Sequence, residues 1–180
     1  MTFPNTEPPD RPLASGQLGS DDWPVADPRG AYRTFLRESI GPALRGLGFK
    51  GSGVSFTLPD ERCWAFVGFQ ADWRLARSGI VEFTVNLTVA EKAAWDATRA
   101  RKLYYPKRPS ANSSSGMDPA EVIRIGALVP VDEQMYDRWW TLNDENGDEV
   151  AREVIAAIRD HALPWLRSRT SKASGDVPEH

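Results

Sequence analysis

The sequence is poor in the residues that do most covalent and metal chemistry. Its 180 residues include one cysteine, Cys63, and two histidines, His161 and His180. A single cysteine excludes an intrachain disulfide and fits a reducing, cytoplasmic setting. Neither histidine has the Cys/His spacing of a zinc site, and His161 near the end of a helix suits the negative end of its dipole. No apolar run approaches the roughly 20 residues that a membrane-spanning helix needs. The N-terminus lacks a basic start followed by an apolar stretch, so no secretion signal is expected, and the sequons at Asn86 and Asn112 carry little meaning.

A strong charge of one sign is also missing. The net charge is −3, but residues 1–28 hold −4 and residues 170–180 hold −1, which leaves +2 for the centre. That excess is too weak to mark a nucleic-acid-binding domain by itself.

Catalytic patterns are absent as well. Cys63 opens a strand-like run with no histidine near it in sequence, and reads as a small core residue. Ser113, Ser114 and Ser115 lack a nucleophile elbow. Gly46-x-Gly48 and Gly51-x-Gly53 follow a helix and precede a strand, the reverse of a phosphate loop, so they read as a cap and a turn. The run 143–149 resembles a calcium loop only at its start, and reads as a turn leading into an acidic first helical turn. The sequence therefore predicts no catalytic residue, no metal ligand and no cofactor.

What the chain does have is aromatic mass and alternation. Seven Trp and seven Phe in a chain of 41% hydrophobic composition can fill a sizeable core. Residues 1–28 are rich in proline and lack periodicity, and residues 170–180 are similar; both are expected to be disordered tails, with Trp23 as a residue that can dock on the domain. Between them, residues 29–169 are expected to form one domain. Tyr32, Phe35, Leu36, Ile40, Leu44 and Leu47 recur at helical spacing over 29–47, with a kink or restart expected at Gly41-Pro42. Gly48 suits a left-handed cap. Strands are expected at 54–58, 62–70 and 80–89, then at 121–128 and 137–142. In the third, Val81, Phe83, Val85, Leu87 and Val89 point one way, and Glu82, Thr84, Asn86 and Thr88 the other. A helical turn or two is expected over 91–100, anchored by Trp95. A last helix starts near Asn146-Gly147-Asp148, and Pro164 ends it or begins a final turn. Grouped strands between terminal helices predict an α+β fold: a mainly antiparallel sheet of four to five strands, with the N-terminal and C-terminal helices packed on one face.

Particular motifs carry a resemblance. The run Leu44-Arg45-Gly46-Leu47-Gly48-Phe49-Lys50 is followed by Phe56, Val67-Gly68-Phe69-Gln70 and Phe83-Thr84-Val85-Asn86-Leu87. Then come Arg124-Ile125-Gly126, Trp139-Trp140-Thr141-Leu142 and Ala162-Leu163-Pro164-Trp165-Leu166. In this order, over roughly residues 31–168, the chain resembles an uncharacterised bacterial family, domain of unknown function 4304. The resemblance implies one domain and assigns no residue a catalytic role.

Two surfaces stand out. Trp64, Gln70, Glu82, Thr84 and Asn86, with Arg124, can share one sheet face and line a groove for a small ligand or peptide; the favoured alternative is that Gln70 and Asn86 hydrogen-bond loop backbone across the sheet. The stretch 99–108 places Arg99, Arg101, Lys102, Lys107 and Arg108 around Tyr104 and Tyr105. It can contact phosphates and stack on bases, or be a solvated basic loop. The expected function is a non-enzymatic binding or interaction module with a protein partner, of which toxin neutralisation is one version. A ligand-binding protein or enzyme using the polar groove is the alternative, and nucleic-acid binding ranks third.

Overall fold

A computed structural model describes residues 27–112, 117–129 and 137–172. Expectations for the tails before residue 27 and after 172, for Trp23 and for Ser113, Ser114 and Ser115 lie outside the described residues.

The first helix begins with proline in its first turn, where the missing N–H costs nothing. Helix α1 (Pro28–Phe35) leads into a π-helical turn (Leu36–Ile40) and then α2 (Gly41–Gly46). Of the kink or restart expected at Gly41-Pro42, the restart does not occur. The Gly41 N–H instead reaches back five residues to the Leu36 carbonyl, and this wider turn takes up the proline without ending the helix. The last helix uses the same device. Helix α4 (Gly147–Ala157) passes through a π turn (Ile158–Ala162), where the Leu163 N–H reaches Ile158 O, and continues as α5 (Leu163–Lys172). Pro164 therefore sits inside the helix, which runs three residues past 169. Gly48 takes φ 96°, and the Phe49 N–H closes on Leu44 O at 3.0 Å, so Phe49 is returned to the core.

The architecture is α+β, with a six-stranded antiparallel sheet. Strands β1 (Lys50–Ser52), β2 (Ser55–Thr57), β3 (Cys63–Asp72), β4 (Val81–Glu91) and β5 (Glu121–Arg124) are neighbours in chain order. Strand β6 (Trp140–Leu142) also pairs with β4. Register shows how β5 and β6 share one edge: Arg124 lies opposite Asn86, and Trp140 lies opposite Phe83. Both lie on one edge of β4, which the chain leaves through a 3-10 turn (Ile125–Ala127) and rejoins at Trp140.

Alternation on β4 separates two faces. Val81, Phe83, Val85, Leu87 and Val89 join one large core with Leu36, Ile40 and Leu44 from the first helix and Val154, Ile158 and Leu166 from the last. Both terminal helices thus cover the same face. Phe83 is its hub, fully buried, with ring centroids of Tyr32, Phe35 and Trp140 5.5–5.8 Å away. Arg169 on α5 pairs with Glu121 on β5 at 2.9 Å and ties the last helix to the sheet edge. Helix α3 (Lys92–Arg101) is held by Trp95, which is fully buried in a second, smaller cluster with Ala90 and Tyr105. No helix among the described residues is long and apolar enough to cross a membrane.

Cys63 is buried, and desolvation pushes its thiol up, with the charges of Asp60 and Glu91 acting in the same direction. The Tyr32 hydroxyl is buried without a hydrogen-bond partner among the described residues, and burial raises its pKa above the ordinary 10.0.

Two outcomes follow from this core. Phe83→Ala should lower the free energy of unfolding by about 3–5 kcal/mol in a urea titration. Tyr32→Phe removes an unsatisfied buried hydroxyl and should leave stability equal or higher by about 1 kcal/mol. Because the folded state keeps the Tyr32 proton longer than the unfolded chain does, its contribution is present below pH 10 and lost as pH rises beyond it. The wild-type minus Tyr32→Phe difference in stability should therefore become more negative above pH 10, and a constant difference would refute the assignment.

Candidate functional site

The second face of the sheet is assembled by register. Opposite β4, strand β3 places Gln70 beside Thr84, Gly68 beside Asn86, Phe66 beside Thr88 and Trp64 beside Ala90. Arg124 on β5 lies beside Asn86 from the other side. Trp64, Gln70, Thr84, Asn86 and Arg124 are therefore brought onto one face. Glu82 shares that face but lies toward its far end, between Asp72 and Thr141. There the Arg74 guanidinium bonded to Asp72 holds the Asp72 carboxyl below its usual range.

This face is covered. Thr84, Asn86 and Thr88 are each fully buried, and among the described residues Asn86 Oδ1 has no hydrogen-bond partner. The Thr88 hydroxyl donates to Ser110 O at 3.2 Å, and the Thr84 hydroxyl donates to Arg138 O at 2.7 Å. Between them Asn86 Nδ2 donates to Gln70 Oε1 at 2.9 Å. Thr84 and Thr88 thus stitch two loops to the sheet on either side of the buried Asn86. Trp64 is occupied as well, stacked on Phe66 and capped by Lys92 Nζ at 4.8 Å from its ring centroid.

Two glycines let the loops approach. A Cβ on Gly68 would stand 2.0 Å from Ala111 O, and one on Gly126 would stand 2.4 Å from Arg138 N. The return of the chain to β4 is then clamped by two similar triads. Asp137 Oδ2 accepts from Arg124 Nη1 and from Trp139 Nε1, while the Arg124 guanidinium lies over the Trp139 ring. Glu153 Oε2 accepts from Arg138 Nη2 and Trp140 Nε1, while Arg138 lies over the Trp140 ring. In each triad one carboxylate oxygen fixes a guanidinium and an indole at once, a charge-assisted arrangement stronger than neutral hydrogen bonds.

The sequence matches the family described as domain of unknown function 4304 over residues 40–168. The chain belongs to that family. No curated protein and no solved structure matches the chain. Within this DUF4304 domain, the motifs noted in the sequence have structural explanations. Gly48 caps the first helix, Gly68 and Gly126 admit the two loops, and Trp139-Trp140 serve the triads.

What the sheet face does not expose, the 99–108 stretch does. Tyr105 is buried, its hydroxyl donating to Asp118 O at 2.8 Å and its ring 5.1 Å from Trp95, whose Nε1 donates to Pro106 O. Tyr105 is an anchor and offers no face to a base. Its neighbours do the reverse: Leu103 is 94% exposed and Tyr104 is 74% exposed. Arg99 is partly engaged by Asp96 at 3.7 Å, and Lys102 lies over the Tyr105 ring. Arg101, Lys107 and Arg108 are exposed and have no ion pair among the described residues; Arg108 extends over Phe66. Leu103 was not singled out in the sequence, and its only signal is an aliphatic residue inside a basic run.

Elsewhere, no group of three His, Cys, Asp or Glu side chains among the described residues could hold a metal ion. His161 is half-buried in the second π turn.

Gly68→Val should overpack the contact with Ala111 and cost about 1–3 kcal/mol. Hydrogen exchange should show lost protection concentrated in residues 105–112, whereas an even loss across the domain would contradict the stitching role of Gly68.

Proposed function

We infer that this domain is a non-enzymatic interaction module that docks on an acidic, partly apolar protein surface through residues 101–108. A single observation carries the reading: Leu103 and Tyr104 stand out in solvent on a loop whose next residue is locked into the fold. An exposed apolar pair on a flexible segment loses much of its contact energy to ordering, and an anchored one loses less. Tyr104 supplies a rigid amphipathic contact of the kind that dominates protein interfaces. The cations around it repel basic partners and steer acidic ones.

Neutralisation of a toxin is one form this docking can take, with the toxin's acidic surface on the knob. The small-ligand alternative centred on Asn86 has less support, since Thr84, Asn86 and Thr88 lie beneath the two loops. Binding of single-stranded nucleic acid has Tyr104 as its only exposed ring in the stretch 99–108.

The test compares affinity capture by the wild-type chain with capture by a Leu103→Asp, Tyr104→Ala variant of unchanged melting temperature. A stoichiometric partner should be held by the wild type, released by salt, and bound at least tenfold more weakly by the variant, equivalent to about 1.4 kcal/mol. Equal capture by both chains, or displacement of the partner by a single-stranded oligonucleotide, would overturn the reading.

A further inference from the structure

Far from the knob, a groove of about 280 Å³ opens between α1, the start of β4 and the turn before α4. Its floor is apolar, made by Phe35, Val81 and Leu142, all buried side chains of the main core. Its rim is acidic, with Glu38, Asp144 and Asp148, and no Lys or Arg lines it. Glu38 bonds its neighbour Arg37 at 2.8 Å, while Asp144 and Asp148 have no ion pair among the described residues. An apolar floor beside two carboxylates without an ion pair among the described residues favours an occupant with an apolar tip and a cationic collar.

This chain carries such an element itself, in the Leu103–Tyr104 knob flanked by Arg101, Lys102, Lys107 and Arg108. The knob cannot reach the groove of its own copy. Val81 at the groove and Glu91, which leads into α3, are the two ends of β4, on the order of 34 Å apart at about 3.4 Å per residue. Any contact between the two surfaces would therefore join two molecules.

We propose that the acidic groove is the docking site for the basic knob of a second copy, so that copies of this chain associate head to tail. The inference rests on the knob being a docking element and names its partner. The contact is heterologous: each copy uses one surface as donor and another as acceptor, and the chain of contacts either closes into a ring or grows. It is also small. Tyr104 brings roughly 150–250 Å², and an interface below about 1,200 Å² in total belongs with weak, transient contacts. Association is therefore concentration-dependent and weakened by salt.

The experiment is sedimentation velocity of the full chain at increasing concentration, in low and in high salt, with two charge-reversed variants. One carries Asp144→Lys and Asp148→Lys in the groove; the other carries Arg101→Glu, Lys107→Glu and Arg108→Glu on the knob. All these positions are exposed, and circular dichroism checks that both variants fold. The wild type should associate in low salt, and each variant alone should show an apparent Kd raised about tenfold or more. Mixing the two variants restores opposite charges across the contact and should restore association. A wild type that stays monomeric at millimolar concentration in low salt would overturn self-docking, as would variants that associate like the wild type or a mixture that does not recover. The knob reading is judged separately: capture of a different acidic protein by a monomeric wild type, lost in Leu103→Asp, would retain the knob and remove the second copy as its partner.

Discussion

Everything in this fold hangs from the ladder between β3 and β4. It pairs ten residues on each strand, from Cys63 opposite Glu91 to Asp72 opposite Glu82. Because side chains alternate strictly along a strand, this one register decides the content of both faces. It puts Phe69 and Phe83 under the helices, and Gln70, Gly68, Thr84, Asn86 and Thr88 under the loops. A slip by one residue would bury the hydroxyls against α1 and α4 and turn the phenyl rings toward the loops. The apolar face resists that slip with Phe83 and its ring neighbours, and the polar face resists it with three hydrogen-bonded side chains in a row.

The two terminal helices solve a common problem in a common way. Each must cross the hydrophobic face as one long element and yet contains a proline. In each, a five-residue π turn ends immediately before the X-Pro pair. The buried stripe then continues on both sides of the turn, from Phe35 to Leu44 in the first helix and from Val154 to Leu166 in the last.

Much of this was legible in the sequence. The alternation on β4, the Gly48 cap, the Trp95 anchor and the helix start at Gly147 all follow from local periodicity and turn chemistry. Three features were not legible, for separate physical reasons. The π turns were missed because proline rules are written for α turns, and an i to i−5 bond leaves little trace in residue spacing. Strand β1 was missed because Lys50-Gly51-Ser52 has no buried side chain to mark a face. Which residues cover Asn86 could not be read, because they lie around 110 and 138, far along the chain and without periodicity. That Gln70 and Asn86 share a face is a matter of period two; whether water reaches them is a tertiary fact. The pair Tyr104-Tyr105 makes the same point at one-residue resolution, since adjacent identical side chains divide into a buried anchor and an exposed ring.

The interrupted edge formed by β5 and β6 has one more consequence. A sheet ending in a long, straight, unpaired strand offers a template on which other chains can add hydrogen bonds without limit. Here one border is broken into pieces of four and three residues, and the opposite border, β1, is three residues long and bent by Gly51 at φ 135°. Among the described residues, each border offers only three or four consecutive strand residues. Short edges of this kind work against sheet-on-sheet addition, the route by which exposed strands recruit further chains.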